Sequence, residues 1–477
     1  MNYDVIIIGG GLGGLTAGAK LSKEGKKVLL LEQHDRPGGC ATTFKRKDFV
    51  MEVGLHEMDG LHPADGKNRI FDDLEVTGHV NFLPVPEFYR FFNGRTDLVM
   101  PHDREAAKSM LKEHFPGEAA GIDRYFERLQ NARRINVTER NNPDISIGEY
   151  LDDVFSNEEI KLVLLGNLGY FHDNPYTLSL RYFSMAENAY FQGRANFIQG
   201  GSQRLSDRLL AVIRENGGKA LLRHKVTGID VSKGTLRSVT FTSLADPHVQ
   251  ETATAAEFVA NAALPQIAEL MGDPGLPLKN EVARHPAGAS LLTVYYGFSR
   301  SLRSLGHKHY STFVFDDSVK RQRDIKSNNR AGFDQRGFTF VDYSQVDSRL
   351  APEGKSVGAI CCIDYLADWT GMPRMEYMKK KREVAKTFTR RLELLVPGCS
   401  DHIDHMEIGT AKTVKHYTLN PGGAVYGFAQ LPNRKPIGAL SDFTNLHIAS
   451  AWGKFGGGFS GAIFSGYMTA VDMLRKK

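Results

Sequence analysis

The chain has 477 residues, enough for about two to four domains of ordinary size and a large buried core. Its composition of 41% hydrophobic and 24% charged residues argues against disorder, and its net charge of +5 is too small for a dedicated nucleic-acid-binding protein. The four cysteines are too few and too scattered for a disulfide framework or a zinc site, which favours a reducing, cytoplasmic location.

The first forty residues predict a β-α-β unit. Residues 3–8 form a β-branched apolar run, which is typical of a strand buried on both faces. A helical pattern follows over residues 15–23, and a second apolar strand over residues 27–31 ends on Glu32.

A glycine-rich turn joins the first strand to the helix. Its Gly9, Gly11 and Gly14 have the spacing of a dinucleotide-binding turn in the strand–helix context that gives this spacing meaning. The first glycine permits a tight turn, the second a close approach to pyrophosphate, and the third close packing of helix and strand. The helix N-terminus would bind phosphates, and the carboxylate of Glu32 would accept hydrogen bonds from ribose hydroxyls.

The residues after Glu32 distinguish an FAD-binding site from an NAD-binding site. Gly38-Gly39 permits the backbone to approach a second phosphate or a ribityl chain, and the whole arrangement resembles the FAD-binding two-dinucleotide motif. We therefore predict FAD as the cofactor. The cofactor-binding residues that we predict are Gly9, Gly11, Leu12, Gly13, Gly14, Glu32, Gly38, Gly39, Cys40, Val226, Gly458, Phe459 and Ser460.

The rest of the chain alternates between strand and helix patterns. Strands are predicted at 81–83, 88–92, 97–100, 220–226, 239–242, 257–262, 290–298, 338–343 and 446–449, with helices across 104–187, 206–216 and 375–395 and at the C-terminus. The polar stretch 320–336 predicts an exposed loop. We predict two interleaved units: an α/β, Rossmann-type FAD-binding domain (1–75, 196–275 and 405–477) and a mixed α+β substrate-binding domain (76–195 and 276–404).

Two further segments resemble those of flavoproteins. Residues 200–205, followed by a helix, Gly217-Gly218 and a strand, are similar to the segment that holds adenine through the backbone of Val226. Residues 445–449 and 456–462 are similar to the C-terminal flavin segment. In that segment a helix N-terminus, here Gly458 to Ser460, points at the pyrimidine edge of the flavin.

Together these motifs resemble the phytoene desaturase, carotenoid isomerase and retinol saturase group of FAD-dependent oxidoreductases over nearly the whole chain. The resemblance implies an apolar tunnel that leads to the flavin, and action on C=C or CH–CH bonds of a hydrophobic isoprenoid such as a carotenoid or retinoid. The chain departs from the group at three places. It has Cys40 where the group often has Arg, and Gly54-Leu55 where a Gly-Pro-like pair is usual. It has Lys454-Phe455 where the group often has His-Pro. These departures leave desaturation, saturation and isomerisation open.

By this resemblance residues 54–60 pass the flavin, and His56 and Glu57 are the predicted catalytic residues, with Asp59 beside them. One of them could move a proton at one carbon while flavin N5 handles hydride at the other; an ordinary loop anchored by hydrogen bonds is the alternative. Lys454 could stabilise reduced flavin or extend into water. We predict no metal site, because surface loops explain the histidines at 307–309 and 402–405 better.

Two other functions share this architecture: a flavin amine oxidase, and a non-enzymatic prenyl-protein carrier that would not need FAD. The intact glycine motifs argue against the carrier. The basic helix over residues 375–395 predicts either a solvated surface or peripheral contact with the anionic inner face of a membrane. No run of about 18 apolar residues predicts a spanning helix.

Overall fold

A computed structural model describes residues 2–139, 141–435, 437 and 442–475 of the chain. Its strands are β1 Asn2–Ile8, β2 Val28–Leu31, β3 Thr43–Arg46, β4 Phe49–Glu52, β5 Met58–Asp59, β6 Phe82–Pro84, β7 Tyr89–Phe92, β8 Asp97–Met100, β9 Ala195–Ile198, β10 Lys219–Leu221, β11 His224–Ser232, β12 Thr235–Ser243, β13 Gln250–Ala260, β14 Ser290–Phe298, β15 Ser311–Val314, β16 Phe338–Asp342, β17 Ser356–Asp364, β18 Ile403–Gly409 and β19 Leu446–Ile448.

The α-helices, joined in places by short 3-10 turns, alternate with these strands. They are α1 Leu12–Lys23, α2 Gly66–Asp73, α3 Arg104–His114, α4 Ala119–Gln130, α5 Ala132–Thr138, α6 Ile147–Val154, α7 Glu158–Leu164, α8 Leu180–Gly193, α9 Gln203–Glu215, α10 Leu264–Leu270, α11 Leu276–Val282, α12 Ile325–Asn328, α13 Arg374–Leu395, α14 Ala411–Thr418 and α15 Gly458–Arg475. Within these described segments, no helix combines the length and apolar character that crossing a membrane requires.

The first sheet is the predicted Rossmann-type sheet. Its order is β10-β2-β1-β13-β12-β11, and β19 pairs with the C-terminal half of β13. Strands β10, β2, β1, β13 and β19 run parallel, whereas β11 and β12 add an antiparallel pair. All four residues of β2 are buried, as expected for a parallel strand that is covered on both faces. Helix α1 packs against both α9 and α15, so the chain's two ends meet beside this sheet.

The second sheet forms the floor of the substrate-binding unit. Its order is β18-β14-β17-β16-β15-β7-β8, and every pair except β15–β7 is antiparallel. Alternate residues of a strand point to opposite faces. On β14, Leu292 and Val294 therefore join the core under α13, whereas Leu291, Thr293 and Tyr295 line a cavity on the other face.

Two predictions about this region were wrong. Strand β18 pairs with β14 across the second sheet, so residues 405–409, which we assigned to the FAD-binding domain, belong to the other unit. The stretch 320–336 is not simply an exposed loop, because Gln322 is fully buried and Arg336 is 4% exposed. Two of its buried side chains donate hydrogen bonds within the protein: Gln322 to the carbonyl of Gly148, and Arg336 to Asp368.

Candidate active site

A cavity of about 1780 Å³ connects the two units. At one end it is lined by the turn after β1, the end of β2 and residues 38–43; at the other it is lined by the inner faces of β14 to β17. The dinucleotide turn and the second sheet therefore line one continuous cavity. This cavity contains most of the site residues predicted from the sequence.

The dinucleotide turn is held by a residue that sequence reasoning missed. Gly9 has a φ of +101°, which favours glycine, and the N–H of Gly11 donates to Asn261 Oδ1 at 2.8 Å. Asn261 Nδ2 in turn donates to the carbonyl of Ala449 at 2.7 Å. Asn261 follows the buried parallel strand β13 directly, and a polar residue at that point is the signal that could have identified it.

Close backbone packing explains the other glycines. A Cβ on Gly13 would lie 2.3 Å from the carbonyl oxygen of Ala449, and one on Gly14 would lie 2.4 Å from that of Gly9. The Gly38 N–H donates to the carbonyl of Gly10 at 2.7 Å, which holds the Gly38-Gly39 turn against the first one. No side chain caps the start of α1, so its first N–H groups remain available to an anion.

The nucleoside end of the cavity is formed by Glu32 and its neighbours. Glu32 is 7% exposed, and its carboxylate accepts hydrogen bonds from the N–H groups of Gly10 at 2.6 Å and His34 at 2.9 Å. Val226 and Cys40 line the same cavity. Burial raises the pKa of the Cys40 thiol to about 11, so this side chain is a neutral wall rather than a nucleophile.

The start of α15 borders the cavity through Gly458, Phe459 and Ser460. The Ser460 hydroxyl donates to Asp59 Oδ1 at 2.6 Å, and Asp59 Oδ2 lies 3.3 Å from Nζ of Lys67. Lys67 is 2% exposed, whereas Lys454, the cation suggested by the sequence, is exposed and lies outside the cavity lining. The buried cation near this helix start is therefore Lys67.

His56 lies on a segment whose backbone is fixed by two buried tyrosines. The hydroxyl of Tyr343 donates to the carbonyl of Leu55 at 3.0 Å, and that of Tyr310 donates to the carbonyl of His56 at 2.5 Å. Burial lowers the pKa of His56 to about 4, so its imidazole is neutral at pH 7. The ring borders the cavity, 5.6 Å from that of Tyr170 between centroids.

Glu57 is a buried carboxyl group without a charge partner. It is 7% exposed, and neither of its carboxyl oxygens has a hydrogen-bond partner among the described residues. Burial raises its pKa well above the usual value, and the nearby carboxyl groups of Glu87 and Glu187 raise it further. Both effects favour the neutral acid, the form of the carboxyl group that can donate a proton.

The aromatic side chains of the second unit divide between core and cavity. Phe88 and Tyr89 are buried in the core, whereas Tyr182, Tyr190 and Tyr295 line the cavity. Side chains that the sequence did not single out complete the apolar part of the cavity. They are Tyr170, Phe171, Phe313, Phe315, Phe338 and Ile363.

The residues at the nucleotide end fit FAD. A pyrophosphate and a ribose fit this end of the cavity for three reasons: the close backbone packing at Gly13 and Gly14, the uncapped start of α1, and the buried carboxylate of Glu32. Helix α15 also begins at this cavity. Over the described part of the chain, no group of three or more His, Cys, Asp or Glu side chains is arranged to hold a metal ion. The fold and the site define an FAD-dependent oxidoreductase.

Comparison with known proteins confirms this class. A family model described as flavin containing amine oxidoreductase matches residues 12–474, so the chain belongs to this family, and its cofactor is FAD. The chain is 24% identical to an all-trans-retinol 13,14-reductase of Danio rerio, over 89% of this chain and 77% of the relative. It is 26% identical to a chloroplastic prolycopene isomerase of Daucus carota, over 92% and 73%. The group suggested by the sequence motifs is thereby confirmed.

Solved structures confirm the fold. An oxidoreductase from Methanosarcina mazei aligns over the whole of both chains with a TM-score of 0.66 at 16% identity. Cyclohexylamine oxidase from Brevibacterium oxydans aligns over 100% of this chain and 99% of its own, with a TM-score of 0.66 at 15% identity.

Proposed function

We propose that this FAD-dependent oxidoreductase acts on a carbon–carbon bond of a hydrophobic isoprenoid or polyene, such as a carotenoid or retinoid. The observation that carries the proposal is the single cavity that joins the dinucleotide turn to an aromatic, apolar lobe over the second sheet. The retinoid and carotenoid substrates in the names of the relatives support the same class.

The proposed roles follow from position. Gly9, Gly11 and the start of α1 would hold the pyrophosphate, Glu32 the ribose, and Gly458 to Ser460 the pyrimidine edge of the flavin. Bound FAD supplies hydride chemistry. His56 and Glu57 would handle the proton that accompanies it, because both border the cavity and are fixed by the anchored segment 55–57.

A direct test is to photoreduce the bound flavin anaerobically and to follow its reoxidation by polyenes, quinones or oxygen. In a separate experiment the oxidised flavin is mixed with soluble amines, and its reduction is followed. We expect polyenes or prenyl lipids to react and soluble amines not to react. Thr293→Trp should fill the apolar lobe and slow the reaction with polyenes. Reoxidation by oxygen should be unchanged in this variant, which makes oxygen the internal control. Reaction with amines alone would instead support the amine oxidase alternative.

We also propose that one surface of α13 contacts an anionic membrane. Met375, Lys379, Arg382, Lys386 and Arg390 are exposed and follow the spacing i, i+4, i+7, i+11 and i+15, so they share one helix face. The opposite face is buried through Val384, Phe388 and Leu392.

Two neighbouring basic residues are excluded from this surface. Lys380 donates to the carbonyl of Asp368, and Arg391 to the carbonyls of Phe333 and Arg336. These two side chains therefore hold α13 on the protein and are unsuitable for a test of membrane contact.

Sedimentation with phosphatidylserine-containing vesicles tests this surface. Each basic residue near an anionic surface contributes about 1 kcal/mol, so the four together should give salt-sensitive binding. Charge reversal of Arg382, Lys386 and Arg390 to Glu should abolish it. Reversal of the exposed Lys219, Lys233 and Arg237 on the first sheet should have little effect. Equal binding of both triple variants would contradict the proposal.

A further inference from the structure

Three buried polar groups beside the cavity have no hydrogen-bond partner in the described parts of the chain. They are both carboxyl oxygens of Glu57, the hydroxyl of Ser311 and the hydroxyl of Tyr170. Glu57 is 7% exposed and Ser311 is fully buried. An orphaned buried polar group costs about 1–3 kcal/mol, so three together require a functional explanation.

The three groups come from separate segments that the fold brings together. Ser311 and Phe313 lie on the same face of β15, and the ring of Tyr170 packs on Phe313 at 5.1 Å between centroids. The same ring lies 5.6 Å from His56, the residue before Glu57. The Ser311 hydroxyl lowers the pKa of both Glu57 and Tyr170, so it lies beside both, although no hydrogen bond of normal geometry closes.

The surroundings of Glu57 exclude a stable carboxylate. Among the described residues no cationic side chain forms an ion pair with Glu57, and neither of its oxygens has a hydrogen bond of normal geometry, while the nearby carboxyl groups of Glu87 and Glu187 raise its pKa further. An unpaired carboxylate in such a place is far costlier than the neutral acid. Glu57 therefore carries a proton before the reaction begins.

We propose that Glu57, Ser311 and Tyr170 form a proton-donating unit, and that the site therefore adds a proton to a substrate carbon, as in saturation of a C=C bond, rather than removing one, as in desaturation. This inference rests on the proposed function. It assigns Tyr170 as a further catalytic residue, because Tyr170 borders the cavity, and Ser311 as a positioning residue behind it.

The step balances in atoms and electrons. The π bond of the substrate would break. Reduced FAD, when bound, would supply hydride to one carbon, and the electron pair at the other carbon would form a C–H bond with the proton of the Tyr170 hydroxyl. Tyr170 regains a proton from Ser311, and Ser311 from Glu57, so no phenolate persists in the apolar wall. The Glu57 carboxylate is then reprotonated from solvent. Desaturation would instead need a base that removes a proton from the substrate. Glu57 would then have to be an unpaired, buried carboxylate before the reaction begins.

Two readouts test the unit, the first without substrate. In the holoenzyme at pH 7, the protonated carboxyl group of Glu57 should contribute an infrared carbonyl band beside that of Glu187. The Glu57 band should be lost in Glu57→Gln and should shift in Ser311→Ala and Tyr170→Phe. Tyr125→Phe is the matched control, because its hydroxyl is also buried and unpartnered but Tyr125 does not line the cavity. This control should leave the Glu57 band in place. An unchanged band in Glu57→Gln would overturn the proposal.

The second readout follows the reduced holoenzyme with a reactive polyene. In D₂O the carbon that accepts the proton should carry a solvent deuterium. Tyr170→Phe should slow polyene-dependent reoxidation by about 10²–10⁴-fold, with reoxidation by oxygen unchanged. Net desaturation by the oxidised enzyme would overturn the proposed direction. If no polyene reacts, the proposed function fails, and the infrared result still decides whether the proton-donating unit exists.

Discussion

The contact between α1 and α15 gives a sharp prediction, because both helices begin at the cavity and meet at a glycine. A Cβ on Gly466 of α15 would lie 2.2 Å from the carbonyl oxygen of Gly13 and 2.8 Å from Cβ of Thr16. Ordinary contact begins at 3.4 Å, so Gly466→Ala must separate the two backbones by up to 1.2 Å. Gly13 is in the first turn of α1, where the N–H groups face the predicted pyrophosphate site.

Two opposing effects set the magnitude of this substitution. Alanine inside a helix gains about 1 kcal/mol over glycine. Overpacking costs about 1–3 kcal/mol, and the upper part of this range applies because the obstacle is a backbone oxygen that no side-chain rotation can move. We expect a net loss of about 1–2 kcal/mol in the free energy of unfolding. The displaced helix start should also weaken FAD binding.

Thermal denaturation and the flavin-to-protein ratio after gel filtration measure these two effects. Gly117→Ala is the control, because a Cβ on Gly117 would meet nothing within 4 Å. We expect Gly466→Ala to melt earlier and to retain less flavin than the control. If both variants match the wild type in melting temperature and flavin content, α1 and α15 are not packed as described.

Two further predictions concern single residues. In Gly11→Val, the new Cβ would lie 2.8 Å from Asn261 Oδ1 in a turn that must admit a pyrophosphate. The purified variant should therefore lack flavin and be colourless. Full flavin absorbance would refute the assignment of this loop. Burial raises the pKa of Glu187 to about 8 from 4.5, so folding takes up a proton between these values and stability should fall as pH rises from 5 to 8. Each pH unit is worth up to about 1.4 kcal/mol. Glu187→Gln should reduce this slope in urea unfolding without removing it, because the pKa of Glu57 is also raised; equal slopes in the variant and the wild type would contradict the pKa shift.

Local signals explain why much of the nucleotide-binding unit could be predicted. The strand, glycine turn and helix are contiguous, so the sequence predicted β1, α1 and β2 to within three residues at either end. Strand β14 was predicted at 290–298, its observed bounds, because its apolar run is long and rich in aromatic and β-branched residues.

The wrong boundary at 405 has a physical cause. Strand β18 is largely half-buried at the edge of its sheet, and its residues Asp404, His405 and Glu407 break the alternation of apolar and polar side chains. Edge strands of this kind carry a weak hydrophobic pattern, so only the pairing partner β14 reveals them.

The side of the cavity that holds the proposed proton-donating unit depends on contacts that no local pattern encodes. Glu57, Tyr170 and Ser311 are separated by more than a hundred residues each, and none of them lies in a motif of its own. Their burial, which raises the pKa of the carboxyl group, arises only when β15, the loop after α7 and segment 55–57 pack together.

His56 and Glu57 are neighbours in sequence, and the sequence alone gave no reason to prefer either as the acid. Their environments separate them. Burial lowers the pKa of His56 to about 4, so at pH 7 the imidazole has already lost its second proton and can act only as a neutral hydrogen-bonding group. The same burial raises the pKa of Glu57 and so favours its protonated form. An activity that persists from pH 5 to pH 7 is therefore compatible with Glu57 as the donor and incompatible with His56, whose acid form is depleted across that whole range.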